Sequence, residues 1–216
     1  MNHLSISDIT NVVRGHKPRR IGRNRYYSVL LPLVEKEDGL YVLFEVRSHQ
    51  LNAQPGEVSF PGGAIEENET PAETAVRETS EELGISKDAI SIITELDYLI
   101  ILNGQKLHCF LGTIDQPSLE KANINKDEVD ECFLVPLSWF LENDPDVYSN
   151  QIMVEPPDDF PIEKVKPGSN YSRLRGTNSV PVYLWQDPEA GVERAIWGMT
   201  ANMTMAFVEL IRGKNI

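Results

Sequence analysis

The chain has 216 residues, 33 of them Asp or Glu against 20 Lys or Arg, for a net charge of −13. That balance speaks against a broad nucleic-acid surface, which is basic, yet it admits a small anionic substrate wherever a bound cation reverses the local field. Two cysteines, Cys109 and Cys132, are too few and too widely spaced for a disulfide framework or a sulfur-rich metal site. Set in the apolar stretches LHCFLG and ECFLVP, they read as buried thiols of a reducing compartment.

The N-terminal residues MNHLSISDITNVVRGHKPRR lack the apolar centre of a signal peptide. The longest apolar runs, such as YYSVLLPLV, fall short of a membrane span, and the final GKNI matches no peroxisomal or retention address. A cytoplasmic protein without membrane attachment is therefore expected. Residues 5–13 read as a short amphipathic helix capped by Ser5 or Ser7, followed by a basic linker, RGHKPRRIGRNR. Residues 26–34 and 41–47 read as strands joined by the turn EKEDG. Pro55-Gly56 and Pro61-Gly62-Gly63 are turn punctuation around a short strand, EVSF.

Residues 70–83 carry the clearest helix signature in the chain. Thr70 and Glu73 make a capping box, Pro71 takes the first helical position, and Gly84 supplies the left-handed end. Residues 90–102 and 106–114 are predicted strands around an Asn103-Gly104 turn. A further strand is expected at 132–135 and one or two helical turns at 137–141. Residues 143–179, rich in Pro, Asp, Asn and Ser, read as a long loop. Residues 180–185 form a strand, and 194–211 a closing helix with Ile196, Met199, Met203, Phe207, Leu210 and Ile211 on one side. Strands and helices mix without regular alternation, so the expected class is α+β, or α/β with a mixed sheet. Residues 1–25 form an N-terminal helix and linker, and 26–216 a single domain with an insertion at about 143–179.

The helix at 70–83 poses a chemical question. On a wheel of ~100° per residue, Ala72, Ala75, Val76, Thr79 and Leu83 cluster on one side, and Glu78, Glu81 and Glu82 on another. Like charges at this spacing repel, and Arg77 is the only base among them. A glycine turn just upstream lets backbone approach a ligand closely. Carboxylates beside backbone carbonyls are the ligand set of Mg²⁺ or Mn²⁺, whose usual work is on phosphates. A divalent cation that holds the acids together is one reading; a solvated acidic face is the other.

The stretch resembles the Nudix box, G-x5-E-x7-R-E-U-x-E-E-x-G-U, in which U is a bulky aliphatic residue. Gly63, Glu69, Arg77, Glu78, Glu81, Glu82, Gly84 and Ile85 match, and Thr79 departs at the first U position. The resemblance implies a Nudix α/β/α sandwich around a mixed sheet and hydrolysis of a nucleoside diphosphate linked to another moiety. Glu78, Glu81 and Glu82 would ligate Mg²⁺ or Mn²⁺, Arg77 would hold the glutamates, and Glu69 would brace the loop. Glu81 and Glu128 are alternative general bases. His108, in a strand beside Cys109, is expected to pack rather than react.

A second resemblance narrows the substrate. The coenzyme A-cleaving branch carries L-L-T-x-R-(S/A)-x3-R-x3-G-x3-F-P-G-G, and this chain reads LFEVRSHQLNAQPGEVSFPGG. Arg47, Ser48, Gly56, Phe60, Pro61, Gly62 and Gly63 match; Phe44 and Glu45 replace Leu-Thr, and Asn52 stands at the second Arg. YYSVLLPLV, DEVDECFLVPLSWFL and ERAIWGMTANM also resemble this branch. The resemblance implies cleavage of coenzyme A or acyl-CoA to 3′,5′-ADP and (acyl-)4′-phosphopantetheine, with Arg47, His49, Gly62 and Gly63 at the substrate phosphates. Lys164, Lys166, Arg173 and Arg175 could add charge, with Tyr171 stacking on adenine. Asn52 keeps ADP-ribose, nucleotide sugars and dinucleotides open, and a non-catalytic nucleotide sensor is a third reading. A homodimer is expected by the resemblance.

Overall fold

The run YSVLLPLVEK buries every residue from Leu30 to Val34, the mark of a strand covered on both faces. This strand, β1 (Tyr27–Lys36), lies at the centre of a sheet in the computed structural model, which describes residues 5–17, 25–101, 104–153, 156–165 and 175–213. A two-residue turn at Glu37-Asp38 leads into β2 (Gly39–Arg47), antiparallel to β1 from Leu33↔Val42 outward. Beyond that pair the two strands part. Two short strands, β3 (Val58–Ser59) and β4 (Gly62–Ala64), occupy the split, β3 on the edge of β2 and β4 on the edge of β1.

The helix α2 (Pro71–Leu83) follows, then a single 3₁₀ turn (Lys87–Ala89) and the strands β5 (Ile90–Glu95), β6 (Leu99–Ile100) and β7 (Lys106–Ile114). β7 pairs parallel with β1 and antiparallel with β5 and β6. After the one-turn helix α3 (Gln116–Leu119), β8 (Val129–Pro136) pairs antiparallel with the far edge of β2. The sheet is thus mixed, as the sequence led us to expect. The N-terminal helix, α1 (Ile6–Val13), is capped by Ser5 through a capping box with Asp8, and none of its residues is buried.

Two cores cover the sheet. On one face α2 packs Ala75 and Leu83 onto Leu30, Val34, Leu43, Phe110 and Ile114. On the other, α4 (Leu137–Glu142) and α6 (Gly198–Ile211) bring Phe140, Met203 and Phe207 against Leu31, Phe44, Phe133 and Val135. Phe44 stacks on Phe60 at 5.0 Å and on Phe133 at 5.6 Å between ring centroids. The result is an α/β/α sandwich.

Three expectations need correction. The single strand at 90–102 is two pieces: β5 keeps to β7 through a bulge between Ile92 and Thr94 and as far as the Leu96 amide, which donates to the Cys109 carbonyl at 2.8 Å, and residues 96–98 then leave the strand before β6; Asn103 of the expected turn lies outside the described residues. The loop at 143–179 contains β9 (Asp146–Met153) and a helical turn, α5 (Ile162–Val165), and β10 (Arg175–Asp187) begins before it ends. β9 and β10 pair antiparallel in a second sheet that β11 (Val192–Trp197) completes. Residues 194–197, the larger part of β11, were expected to open the final helix. They form a strand because burial alternates, Arg194 and Ile196 inward, and Gly198 at φ +61° breaks the chain direction before α6. Met203 and Phe207 of the predicted stripe are buried, whereas Met199, Leu210 and Ile211 are exposed. Arg194 is accommodated inside by ion pairs to Asp187 and Glu131.

Candidate active site

The glycine turn reaches the split between β1 and β2 directly ahead of α2. Thr70 accepts from the Glu73 amide while the Glu73 carboxylate accepts from the Thr70 amide, so both ends of the capping box are closed, a cap worth about 1 kcal/mol. Of the predicted apolar face, Ala75, Thr79 and Leu83 are buried, with Ala72 and Val76 half-buried. Thr79 is tolerated where a bulky aliphatic residue was expected because its hydroxyl donates to the Ala75 carbonyl at 2.7 Å.

The three helical glutamates differ sharply in environment. Glu82 is buried, at 4% exposure, and Glu78 is half-buried; Glu81 lies at the surface. The Gly62 amide donates to Glu82 Oε2 at 2.9 Å. Gly63 passes so close to Glu78 that an added Cβ would stand 2.3 Å from its Oε1. Arg77 binds Glu69 through two parallel hydrogen bonds, Nε to Oε1 at 2.7 Å and Nη2 to Oε2 at 3.0 Å. Its Nη1 also meets Glu78 at 3.0 Å and Glu81 at 3.1 Å. The arginine thereby ties the loop at Glu69 to the acidic turn of α2. It holds the Glu69 carboxyl down at about 2, helped by the Thr74 hydroxyl.

Glu128 enters from the loop before β8. The Ser48 amide donates to its carbonyl at 2.8 Å, and the Asn125 amide donates to the Glu82 carbonyl at 2.9 Å, so this loop is pinned both to the end of β2 and to the end of α2. The Glu128 side chain is exposed, yet its charge acts on Glu78 and Glu82. A further carboxylate, passed over in the sequence, belongs to this group. Glu45 on β2 has 0% exposure; Ser59 Oγ donates to its Oε1 at 2.9 Å, and its Oε2 has no hydrogen-bond partner. The signal that could have found it is a lone acid in the apolar strand GLYVLFEVR.

Burial pushes the Glu45 carboxyl up to about 7 against the pull of the Ser59 hydroxyl and the Arg47 charge. Burial likewise lifts Glu82 well above the usual carboxylate range, the Glu45 charge adds to this, and the Gly62 amide opposes it. Glu78 is raised by burial against the attraction of Arg77. The consequence for stability has a definite sign. Between the ordinary value near 4.5 and the folded value near 7, folded Glu45 holds more proton than the unfolded chain does, so stability falls as pH rises through that window. Glu69 acts oppositely, but only below its ordinary range. With metal chelated, the unfolding free energy from urea titrations is expected to be lower at pH 8 than at pH 5, by on the order of 3 kcal/mol from Glu45 alone. A stability that is flat or rising across that window would contradict this environment for the buried acids.

Among the described residues no three His, Cys, Asp or Glu side chains already stand together as a metal cluster. Arg77 draws Glu78 and Glu81 toward itself, and Glu82 leans on Gly62. The donor set nonetheless suits a divalent cation: carboxylates raised first by burial and then by one another's charge, one of them with an unpartnered oxygen, beside a backbone turn.

A cavity of about 350 Å³ opens at the same turn, within the size range of small-molecule sites. Gly62, Gly63, Ser59 and Arg47 form the end nearest the acids; Leu107, Met199 and Met203 give it an apolar wall. Arg47 Nε is buried and unpartnered there. His49 does not line this cavity: its ring lies over Gly56 and its Nε2 is 3.7 Å from Asp130 Oδ2, on an exposed side chain. Asn52 is exposed, while its neighbours Ala53 and Gln54 reach the cavity. Lys164 is exposed on α5; Lys166, Tyr171 and Arg173 lie outside the described residues, as does the Arg175 side chain. His108 Nδ1 lies 2.6 Å from Glu95 Oε1, away from the acids. Both cysteines are free, with thiols raised by burial. No helix of the described residues is long and apolar enough to cross a membrane.

A family model described as NUDIX domain matches residues 24–154. The chain is 32% identical over 186 residues to the mouse protein named peroxisomal coenzyme A diphosphatase NUDT7, covering 86% of this chain and 70% of that one. It is 30% identical over 148 residues to the Caenorhabditis elegans peroxisomal coenzyme A diphosphatase ndx-8, covering 65% of this chain but only 57% of that protein. Among solved structures, a MutT/nudix family protein from Enterococcus faecalis aligns with a TM-score of 0.48 and 14% identity, over 97% of this chain and 70% of that one.

Proposed function

The chain belongs to the Nudix hydrolase family, and we propose that its substrate is coenzyme A or an acyl-CoA, cleaved at the diphosphate to 3′,5′-ADP and (acyl-)4′-phosphopantetheine. One observation carries this reading. The buried acids of α2 and the cavity with the unpartnered Arg47 guanidinium nitrogen share the same Gly62-Gly63 turn. A diphosphate lying across that turn has acids on one side, and an apolar space for an organic arm on the other. The relatives named coenzyme A diphosphatases in mouse and C. elegans support the choice of substrate.

The roles follow from position. Glu78, Glu82 and Glu81 would hold Mg²⁺ or Mn²⁺, with Arg77 releasing Glu78 and Glu81 to it while keeping its two bonds to Glu69. Such a cation supplies Lewis acidity toward phosphoryl oxygens and lowers the cost of deprotonating water. Gly62 and Gly63, where a side chain would strike Val29 and Glu78, let the protein backbone pack against the acids and line the cavity where the diphosphate would lie, and Arg47 offers its Nε to phosphate. Glu81 and Glu128, both exposed at the rim of the acidic group, are the alternatives for the carboxylate that takes the proton from water. His49, directed at Asp130, would need to swing away from Gly56 to meet phosphate. A cytoplasmic homodimer is part of the same proposal, to be checked by light scattering of the full chain and by fractionation.

The test compares CoA, dephospho-CoA, ADP-ribose and NADH, each with Mg²⁺ or Mn²⁺, with products identified by mass spectrometry. CoA is expected to outpace dephospho-CoA by about tenfold or more, the value of one good charge-assisted contact to the 3′-phosphate. Asn52, in place of a second arginine, favours the alternative of another nucleoside diphosphate derivative. AMP released from ADP-ribose or NADH, with CoA left intact, would decide for that alternative.

A further inference from the structure

β2 alternates strictly between the two cores. Val42, Phe44 and Val46 face the aromatic core, and Leu43 faces the core beneath α2. Glu45 lies two residues along from Leu43 and so shares the α2 face of the sheet. The strands on either side offer it little. In register with it stand Ser59 of β3 and Cys132 of β8, one hydroxyl and one thiol. The hydroxyl satisfies Oε1 at 2.9 Å, and Oε2 is left with no hydrogen-bond partner although the residue has 0% exposure. Arg47, beyond a bulge in β2, attracts Glu45 without closing a bond to Oε2.

A carboxylate fully out of water is costly unless it is paired or coordinates a metal. The groups that face Glu45 do not pair it. Glu82, itself buried, and Glu78 and Glu128 are all acids whose charges act on it or feel it. Its unpartnered oxygen therefore points to a cation shared with Glu82. We infer that Glu45 is a ligand of the divalent-cation site, contributed by the central sheet from outside the segment Gly63 to Ile85. The assignment rests on the reading of α2 as a metal-holding helix. It is particular to this chain, because the related coenzyme A segment carries Thr at this position, where this sequence has Glu.

The experiment is a titration of Mn²⁺ alone into the full chain, followed by the electron paramagnetic resonance signal of free Mn²⁺ and by calorimetry. The parent, Glu45→Gln, Glu45→Thr and Glu82→Gln are compared, with circular dichroism to confirm the fold of each. Threonine removes the charge and keeps a hydroxyl toward Ser59, so a loss of fold confined to the glutamine variant leaves the comparison intact. Both Glu45 variants are expected to bind Mn²⁺ roughly 10–100-fold more weakly than the parent. If Glu82→Gln loses Mn²⁺ while folded Glu45 variants stay within about a factor of two of the parent, the Glu45 assignment is wrong and the metal-holding helix stands. If the parent binds no Mn²⁺, both fall together.

Discussion

Glu82→Gln is expected to lower the turnover of CoA by roughly 10³-fold, since a metal-held charge contributes several kcal/mol to a phosphoryl-transfer barrier and each 1.36 kcal/mol is a factor of ten. The variant is expected to stay folded. Glutamine keeps an oxygen to accept from the Gly62 amide, now at 2.9 Å from the carboxylate, and removes one of two neighbouring buried charges. The melting temperature of the metal-free variant is therefore expected to equal or exceed that of the parent. Product release measured by mass spectrometry with Mg²⁺ and with Mn²⁺, beside a thermal melt in chelator, checks both halves. Turnover within tenfold of the parent would remove Glu82 from the metal site. A parent with no turnover on any substrate would bring forward the reading of a nucleotide sensor.

Gly84→Ala is expected to destabilise the protein by about 3 kcal/mol, the sum of a left-handed backbone for a residue with Cβ and of overpacking. Gly84 ends α2 at φ +62°, and a Cβ built there would stand 2.0 Å from the Asn123 carbonyl oxygen, a backbone atom with little room to yield. The melting temperature should fall by roughly 6–12 °C for a chain of this size. Activity should fall as well in the fraction that remains folded. Asn123 belongs to the loop whose Asn125 amide bonds the Glu82 carbonyl and whose Glu128 carbonyl bonds Ser48. Pushing that loop outward moves Glu128 away from the other acids. Urea denaturation read by fluorescence, with a shift below about 1 kcal/mol, would show that the loop gives way without cost.

The parts of the fold that sequence made legible are those whose signals are local. α2 could be read residue by residue, because its cap, its first-turn proline and its terminal glycine each act within a few positions. β1 was legible because it is buried on both faces. β9 was not, because only Ile152 along DVYSNQIM is other than exposed, so no alternation toward a core exists; its pairing with β10 depends on a partner more than twenty residues away. β11 was hidden for the opposite reason. Ile196, Met199 and Met203 fall at helical spacing across a boundary that a single left-handed glycine creates. In the site, Arg77 and the helical glutamates could be grouped by spacing alone. Glu45 could not, since it and its neighbours in space, Ser59 and Glu82, come from three segments, β2, β3 and α2, brought together by the split sheet. Arg47 and His49, two residues apart, look equivalent in sequence, and only the turn at Gly56 shows that one lines the cavity and the other covers a glycine.

The split between β1 and β2 also divides the inheritance of the enzyme. The acids ride on α2, β2 and one tethered loop, all locked into the central sheet. The wall of the cavity is borrowed from elsewhere: Ile101, Gln105 and Leu107 around the start of β7, and Met199 and Met203 at the start of α6. Mutations in the wall can accumulate without disturbing a single acid, and mutations in the acids leave the wall intact. Selection can thus exchange what is cut while the cutting edge is passed on unaltered, and a lineage built on this frame can change its diet by drift in two short stretches of chain.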